Sequence, residues 1–129
     1  MAIIRSFRDL EVYKRAGREA KKIFLLTKRF PKDETYSLTD QIRRSSRAVG
    51  ALLAEAWAKR RYPALFVNRV NDALGEAMET QAWLDHSLAS GYVARTEYRL
   101  LDAAWQEIGA MLNGVIERAD DFCKTARLR

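Results

Sequence analysis

Apolar residues recur three or four positions apart in four separate stretches of the chain, and this spacing constrains the fold more than any other feature. At 3.6 residues per turn, such positions fall on one stripe of an α-helix. No competing alternation of the kind that marks β-strands is present. The pattern predicts four helices, at about 7–30, 38–61, 64–90 and 96–123.

Residues that favour the beginning or the end of a helix lie near the limits of these stretches. Ser6 and Asp9 have the spacing of a capping box, and Thr96 is a candidate N-cap of the fourth helix. Pro63 suits the first turn of the third helix, where its missing amide is not needed, and Gly91 suits a left-handed stop after it.

The three predicted connections are short, and short connections make consecutive helices run antiparallel. A chain of 129 residues, 48% of them hydrophobic, makes one domain with enough apolar material for a core. The expected fold is therefore all-α, an antiparallel up-down-up-down four-helix bundle that forms a single domain over 1–129.

The net charge of +6 is unevenly distributed. Residues 1–32 carry ten Lys or Arg against three acids, and 40–62 carry six against two. Residues 63–91 hold one Arg against four acids, and 92–129 are balanced. This polarity indicates either an anionic partner for the basic half or head-to-tail association between copies of the chain.

The sequence offers little to hold a metal or to catalyse a reaction. Cys123 is the only cysteine and His86 the only histidine, which excludes a disulfide within the chain and a thiolate zinc site. We identify no catalytic residue, no metal ligand set and no cofactor motif. The first residues lack the apolar core of a signal peptide, and no apolar run is long enough to span a bilayer, so we expect a cytoplasmic protein without a membrane partner.

Basic residues at helical spacing are the candidate nucleic-acid contacts. Guanidinium and ammonium groups one turn apart can neutralise neighbouring phosphates, and the released counterions drive binding that does not depend on base sequence. The alternative is that these are ordinary solvated faces, with the last three residues favouring a helix C-terminus. The candidates are Lys14, Arg18, Lys21, Lys22, Arg43, Arg44, Arg47, Lys59, Arg60 and Arg61.

Two further residues are singled out. Tyr62 directly follows the basic run at a helix corner, where a base could meet both charge and ring, whereas most other aromatic residues are expected to be core or interface anchors. Glu55 lies one position before the predicted core residue Ala56, so we expect a structural ion pair with an arginine of another helix or subunit.

Three linked segments resemble one known family. They are FRDLEVYKRA at the start, FPKDETYSLTDQIRRSSRAVGALLAEAWAKRR in the middle and ETQAWLDHSLASGYV later in the chain. The most specific residues are Phe30-Pro31, Glu34, Leu38-Thr39, Gln41 to Arg44 and Ala54-Glu55. Together, from about Phe7 to Phe122, they resemble the 23S rRNA-intervening-sequence proteins. Trp57 departs from the pattern, because many members have glycine there.

This resemblance implies a bacterial, cytoplasmic four-helix protein that assembles into a homo-oligomer, a ring of five. Some relatives are encoded within intervening sequences of ribosomal RNA genes. Others are accessory proteins that work beside a reverse transcriptase in diversity-generating retroelements and bind nucleic acid through a basic surface. The partners it implies are therefore RNA or DNA and a reverse transcriptase, with no enzymatic activity of the chain itself.

Two functions from different classes follow. The first is a non-enzymatic, oligomeric nucleic-acid-associated protein that uses the basic faces of helices one and two. The alternative is a structural assembly module in which the acidic third helix of one copy meets the basic face of another. Enzymatic function ranks third, because a phosphate-binding loop and a nucleophile with its base are both missing from the sequence.

Overall fold

The computed structural model describes residues 3–127, without the side chains of Thr125 and Arg127, and consists of helices. Within these residues, two short 3-10 turns, Phe7–Asp9 and Lys32–Glu34, accompany five α-helices. No strand occurs within 3–127, so the predicted all-α helical bundle is confirmed. The helices are α1 (Glu11–Thr27), α2 (Leu38–Ala58), α3 (Pro63–Ala89), α4 (Arg95–Glu117) and α5 (Ala119–Arg127).

The first helix is shorter than the predicted 7–30. Leu10 adopts an extended backbone, which separates the first 3-10 turn from α1. The predicted capping box is present, but it caps this turn. Ser6 Oγ accepts a hydrogen bond from the Arg8 amide at 3.1 Å, and the Asp9 carboxylate accepts one from the Ser6 amide at 3.1 Å.

The predicted fourth helix, 96–123, is two helices. The backbone of Arg118 leaves the helical region at φ −103° and ψ 22°, and α5 begins at the next residue. The predicted cap at Thr96 is also wrong, because Ala94 occupies the N-cap position and no side chain caps the helix. The break lets α5 return to the core, where the Phe122 ring packs 6.0 Å from that of Phe66.

Pro63 and Gly91, at the two ends of α3, have the roles that the sequence predicts. Pro63 is in the first turn of α3, and Gly91 after its end has a φ of +77°, a region that favours glycine. The second helix ends at Ala58, three residues before the predicted 61.

Each long helix packs on two others in the order α1, α2, α3 and α4, with α4 returning to α1. Helices α1 and α3 therefore lie diagonally across the core. Contacts between neighbours pair early residues of one helix with late residues of the next, as antiparallel neighbours do: Ser45 of α2 meets Thr80 of α3 at 2.8 Å, and Glu55 meets Arg69 at 3.2 Å. Within 3–127 no helix is apolar over enough length to cross a membrane.

A polar clasp joins the two connections at one end of the bundle. Glu34, between α1 and α2, accepts hydrogen bonds from Ser37 Oγ at 2.5 Å and from the Tyr92 hydroxyl at 2.8 Å, the latter lying between α3 and α4. These hydrogen bonds stabilise the carboxylate and lower the pKa of Glu34 below its ordinary value. The clasp fixes the start of α2, the helix that carries the arginines of interest.

Candidate nucleic-acid interface

The outward face of α1 carries most of its basic residues. Its inward stripe includes Val12, Ala16, Ile23 and Leu26, all buried, so the opposite side of the helix faces solvent. Every lysine of α1 is exposed, and so are the basic residues that continue its face just beyond the C-terminus. The exposed set is Lys14, Arg18, Lys21, Lys22, Lys28 and Arg29.

The arginines of α2 lie beside part of this face. Arg44 and Arg47 are exposed, whereas Arg43 is half-buried in the seam between the helices. The Arg43 Nε donates a hydrogen bond of 2.7 Å to Thr27 Oγ1 at the end of α1. This bond fixes one edge of the guanidinium group and leaves its two terminal amino groups for other partners.

Four cations converge on the ring of Phe24. Their charged groups lie at 4.8 Å (Arg43), 4.9 Å (Lys28), 5.4 Å (Arg47) and 5.7 Å (Lys21) from the ring centroid. Such distances are in the range of cation–π attraction. We call these five residues the Phe24 cluster; it joins α1 and α2 into one basic surface.

A shallow groove of about 390 Å³ extends from the Phe24 cluster between α1 and α2. Its walls include Tyr13, Lys21 and Arg47. Small residues form much of its lining, which lets a ligand approach both helix backbones closely. These small residues are Ala16, Gly17, Ala20, Ser46, Gly50 and Ala51.

Two of the basic residues of α1 that were predicted to contact nucleic acid lie beside acidic side chains of the same helix. Lys14 lies 3.4 Å from Glu11, and Lys22 lies 2.9 Å from Glu19 in the groove towards α4. Arg18 is exposed and has no carboxylate within 4 Å in the part of the chain that the structure describes. The structure thus brings only part of the predicted α1 set towards α2.

The basic run at the end of α2 forms a separate corner. Arg60 lies 4.2 Å above the Trp57 ring and donates a hydrogen bond to the Trp57 carbonyl, so its guanidinium group is held against the bundle. Tyr62 is 58% exposed and lines a small pocket with Arg60 and Arg61, near half-buried Lys59. Arg47 lies eleven residues before the end of α2, so about 16 Å of helical rise separates it from this corner.

Glu55 faces Arg69 of α3 at 3.2 Å, but this pair lies at the surface. Glu55 is exposed on the solvent side of α2. The buried carboxylate is Glu19, only 3% exposed, with Lys22 at 2.9 Å and Arg15 at 3.6 Å. The burial of Glu19 is not apparent from the sequence, because this core position lies within a run of charged residues.

The acidic residues of α3 form an outward face of their own. Burial raises the pKa of Glu76, and neighbouring Glu79 raises it further, while Arg44 acts in the opposite direction. Asp85, nearer the end of α3, accepts a hydrogen bond of 2.5 Å from the Tyr98 hydroxyl, which raises the pKa of Tyr98 to about 12. Because α1 and α3 are diagonal, the basic and acidic faces point away from each other.

Sequence reasoning missed two members of the Phe24 cluster. Neither Phe24 nor Lys28 is among the candidate contacts named from the sequence. The available indication was the spacing of Lys21, Phe24 and Lys28, which puts all three on one side of a helix. Their association with α2 depends on packing.

Comparison with known proteins identifies the family. The family model for the 23S rRNA-intervening sequence protein matches residues 8–114, and the chain belongs to this family. A crystal structure from Bacteroides thetaiotaomicron, a protein of unknown function from the S23 ribosomal protein family, is 30% identical, with a TM-score of 0.74. The match covers 82% of this chain and 95% of that one. No curated protein matches the chain.

We predict that Glu76→Gln stabilises the protein at pH 7. A raised pKa means that the folded state holds this proton more tightly than the unfolded state does, so the charged form costs stability above that pKa. The melting temperature should rise by about 1–3 °C. The gain should shrink as the pH falls and Glu76 becomes protonated in both states.

Thermal unfolding followed by circular dichroism at pH 7 and pH 4 measures this effect. Glu117→Gln, at an exposed position on α4, removes the same charge away from the acidic face and serves as the control. A lower melting temperature for Glu76→Gln at pH 7 would show that the attraction of Arg44 outweighs burial.

Proposed function

We propose that this protein is a non-enzymatic, cytoplasmic nucleic-acid-associated protein that binds phosphates through the basic surface of α1 and α2 and works as a homo-oligomer. The observation that carries the proposal is the Phe24 cluster, in which two helices present four positive charges around one ring. The binding residues we propose are Arg18, Lys21, Lys28, Arg43, Arg44 and Arg47.

The chemistry of these side chains supports binding rather than a reaction. Guanidinium and ammonium groups remain protonated near neutral pH, and they offer hydrogen-bond donors without acceptors. Neutralising phosphates releases condensed counterions, and this entropy gain favours any strand irrespective of its base sequence. The surface therefore fits a ligand recognised by its backbone.

Family membership supports RNA as the first ligand to test. The family takes its name from intervening sequences of 23S rRNA, and the similar crystal structure is assigned to a ribosomal protein family. DNA presents the same phosphates and is the second choice. A reverse transcriptase is a proposed protein partner, on the resemblance to retroelement accessory proteins.

The test is the affinity for a structured RNA across salt concentrations. If about four cations neutralise phosphates, the logarithm of the association constant should fall with log[salt] with a slope of about −3 to −4. Absence of binding at low salt, or binding that salt does not weaken, would refute the proposal.

A charge-reversal pair locates the binding surface. We expect Arg44→Glu/Arg47→Glu to weaken binding by about tenfold or more, because two attractive contacts become repulsive. Arg95→Glu/Arg99→Glu is the matched control, since both residues are exposed on α4 and the change in net charge is identical. Equal losses in the two variants would indicate a long-range charge effect and no site on α2.

A second candidate function is a structural assembly module without a nucleic-acid ligand. It is favoured by the diagonal placement of basic α1 and acidic α3, because opposite faces of opposite charge suit head-to-tail contacts between copies. In this case the basic residues would form ion pairs with acidic residues of neighbouring subunits and would not be available to a nucleic acid.

Light scattering over a salt series separates the two functions. Under our proposal the assembly keeps its mass from about 0.05 to 0.5 M salt, where exposed charges become screened. A mass that falls steadily as salt rises, together with no RNA binding, would favour the assembly module.

A further inference from the structure

We propose that the groove between α1 and α2 binds adjacent phosphates of a single nucleic-acid strand, and that Phe24 is the residue that positions the cations for them. This inference rests on the proposed function and names the subsite and its ligand. Phe24 carries no charge, so its contribution is separable from the net charge of the surface.

The Phe24 cluster concentrates positive charge. Four like charges around one ring repel each other, and no carboxylate lies within 4 Å of any of them in the described part of the chain. The negative face of an aromatic ring attracts cations and partly offsets this repulsion. The remaining positive potential favours an anion beside the ring.

Hydrogen bonds of Thr27 hold the cluster together. The Thr27 hydroxyl donates a hydrogen bond of 2.9 Å to the Phe24 carbonyl and accepts one of 2.7 Å from Arg43 Nε. The α2 guanidinium group is thereby tied to the same helix turn that carries the ring. Because the Arg43 side chain is already oriented before a ligand binds, less conformational entropy is lost on binding.

The groove between α1 and α2 has the shape to hold a strand. Gly17 leaves open space beside α1, the absence of a side chain at Gly50 lets the Tyr13 ring pack against α2, and Lys21 and Arg47 lie on opposite walls. A strand lying along this groove would have a cation on each side. All four charges surround a single ring, an arrangement that suits one phosphate or two neighbours on one strand better than phosphates across the roughly 12 Å major groove of a duplex.

Asp40 restricts where a bound nucleic-acid strand could lie. Exposed Asp40 borders the outer side of α2, in a depression that it shares with Arg43, Arg44 and Arg47. Its charge opposes a phosphate there. The strand is therefore expected to follow the groove on the α1 side of Arg47.

The experiment uses the full chain and a fluorescent 12-nucleotide single-stranded RNA, with anisotropy measured at several salt concentrations. Phe24→Leu removes the ring and keeps an apolar side chain. We expect five- to tenfold weaker binding and a salt slope about 0.7 to 1.4 smaller, equivalent to one or two lost phosphate contacts although no charge has been removed. Phe24→Tyr keeps the ring and should bind like the parent protein.

Two controls accompany these variants. Leu25→Ala changes an exposed apolar neighbour that lines the other groove of α1, so binding should not change. If Phe24→Leu is poorly folded by circular dichroism, Thr27→Val replaces it, because it releases Arg43 without touching the ring. The same decrease of the salt slope is then expected.

The outcomes are distinct. If the parent protein binds no RNA, the proposed function fails. If it binds and Arg44→Glu/Arg47→Glu weakens it, but Phe24→Leu leaves affinity and slope unchanged, only the present inference is wrong. An equal loss in Phe24→Tyr and Phe24→Leu would also overturn the role of the ring. A duplex that competes equally well per phosphate would overturn the single-strand assignment.

Discussion

Burial of one apolar stripe on each long helix is the constraint on which the rest of this structure depends. The fully buried residues Ile23, Ile42, Leu84 and Ile108 come from four different helices and meet in one core. Each helix must then leave its opposite side in water, where sequence is free to vary in charge. Basic residues occupy that side of α1, and acidic residues occupy it on α3, so the order of packing converts a charge pattern in the sequence into two opposed faces.

Packing also decides which charges remain available to a ligand. Lys22 is drawn towards Glu19, and Arg29 is bound to Glu97 across the seam with α4 at 2.7 Å, so these cations help to close the bundle. Lys21 and Lys28 face the other seam, where they meet Arg43 and Arg47 of α2 around the Phe24 ring. The positive potential of the molecule is therefore concentrated between α1 and α2, although the sequence spreads its basic residues almost evenly along α1.

The helical pattern could be predicted from spacing because apolar periodicity is a local property of the chain, and Pro63 and Gly91 mark their boundaries by backbone chemistry alone. The interruption at Arg118 could not, since it depends on Phe122 packing against rings from other helices. The position of Glu19 and the role of Phe24 were likewise beyond prediction. Both are decided by which neighbouring helix a side chain meets, and a single sequence contains no direct record of that contact.

Lysine acetylation footprinting with and without single-stranded RNA, read out by mass spectrometry, tests the central claim most directly, because the chain carries its own controls. Lys21 and Lys28 lie in the Phe24 cluster, whereas Lys124 is exposed on α5 and Lys32 lies in the turn before α2. The account predicts that RNA protects Lys21 and Lys28 several-fold more than Lys124 and Lys32. Unchanged acetylation at Lys21 and Lys28 under conditions where RNA is bound would contradict it.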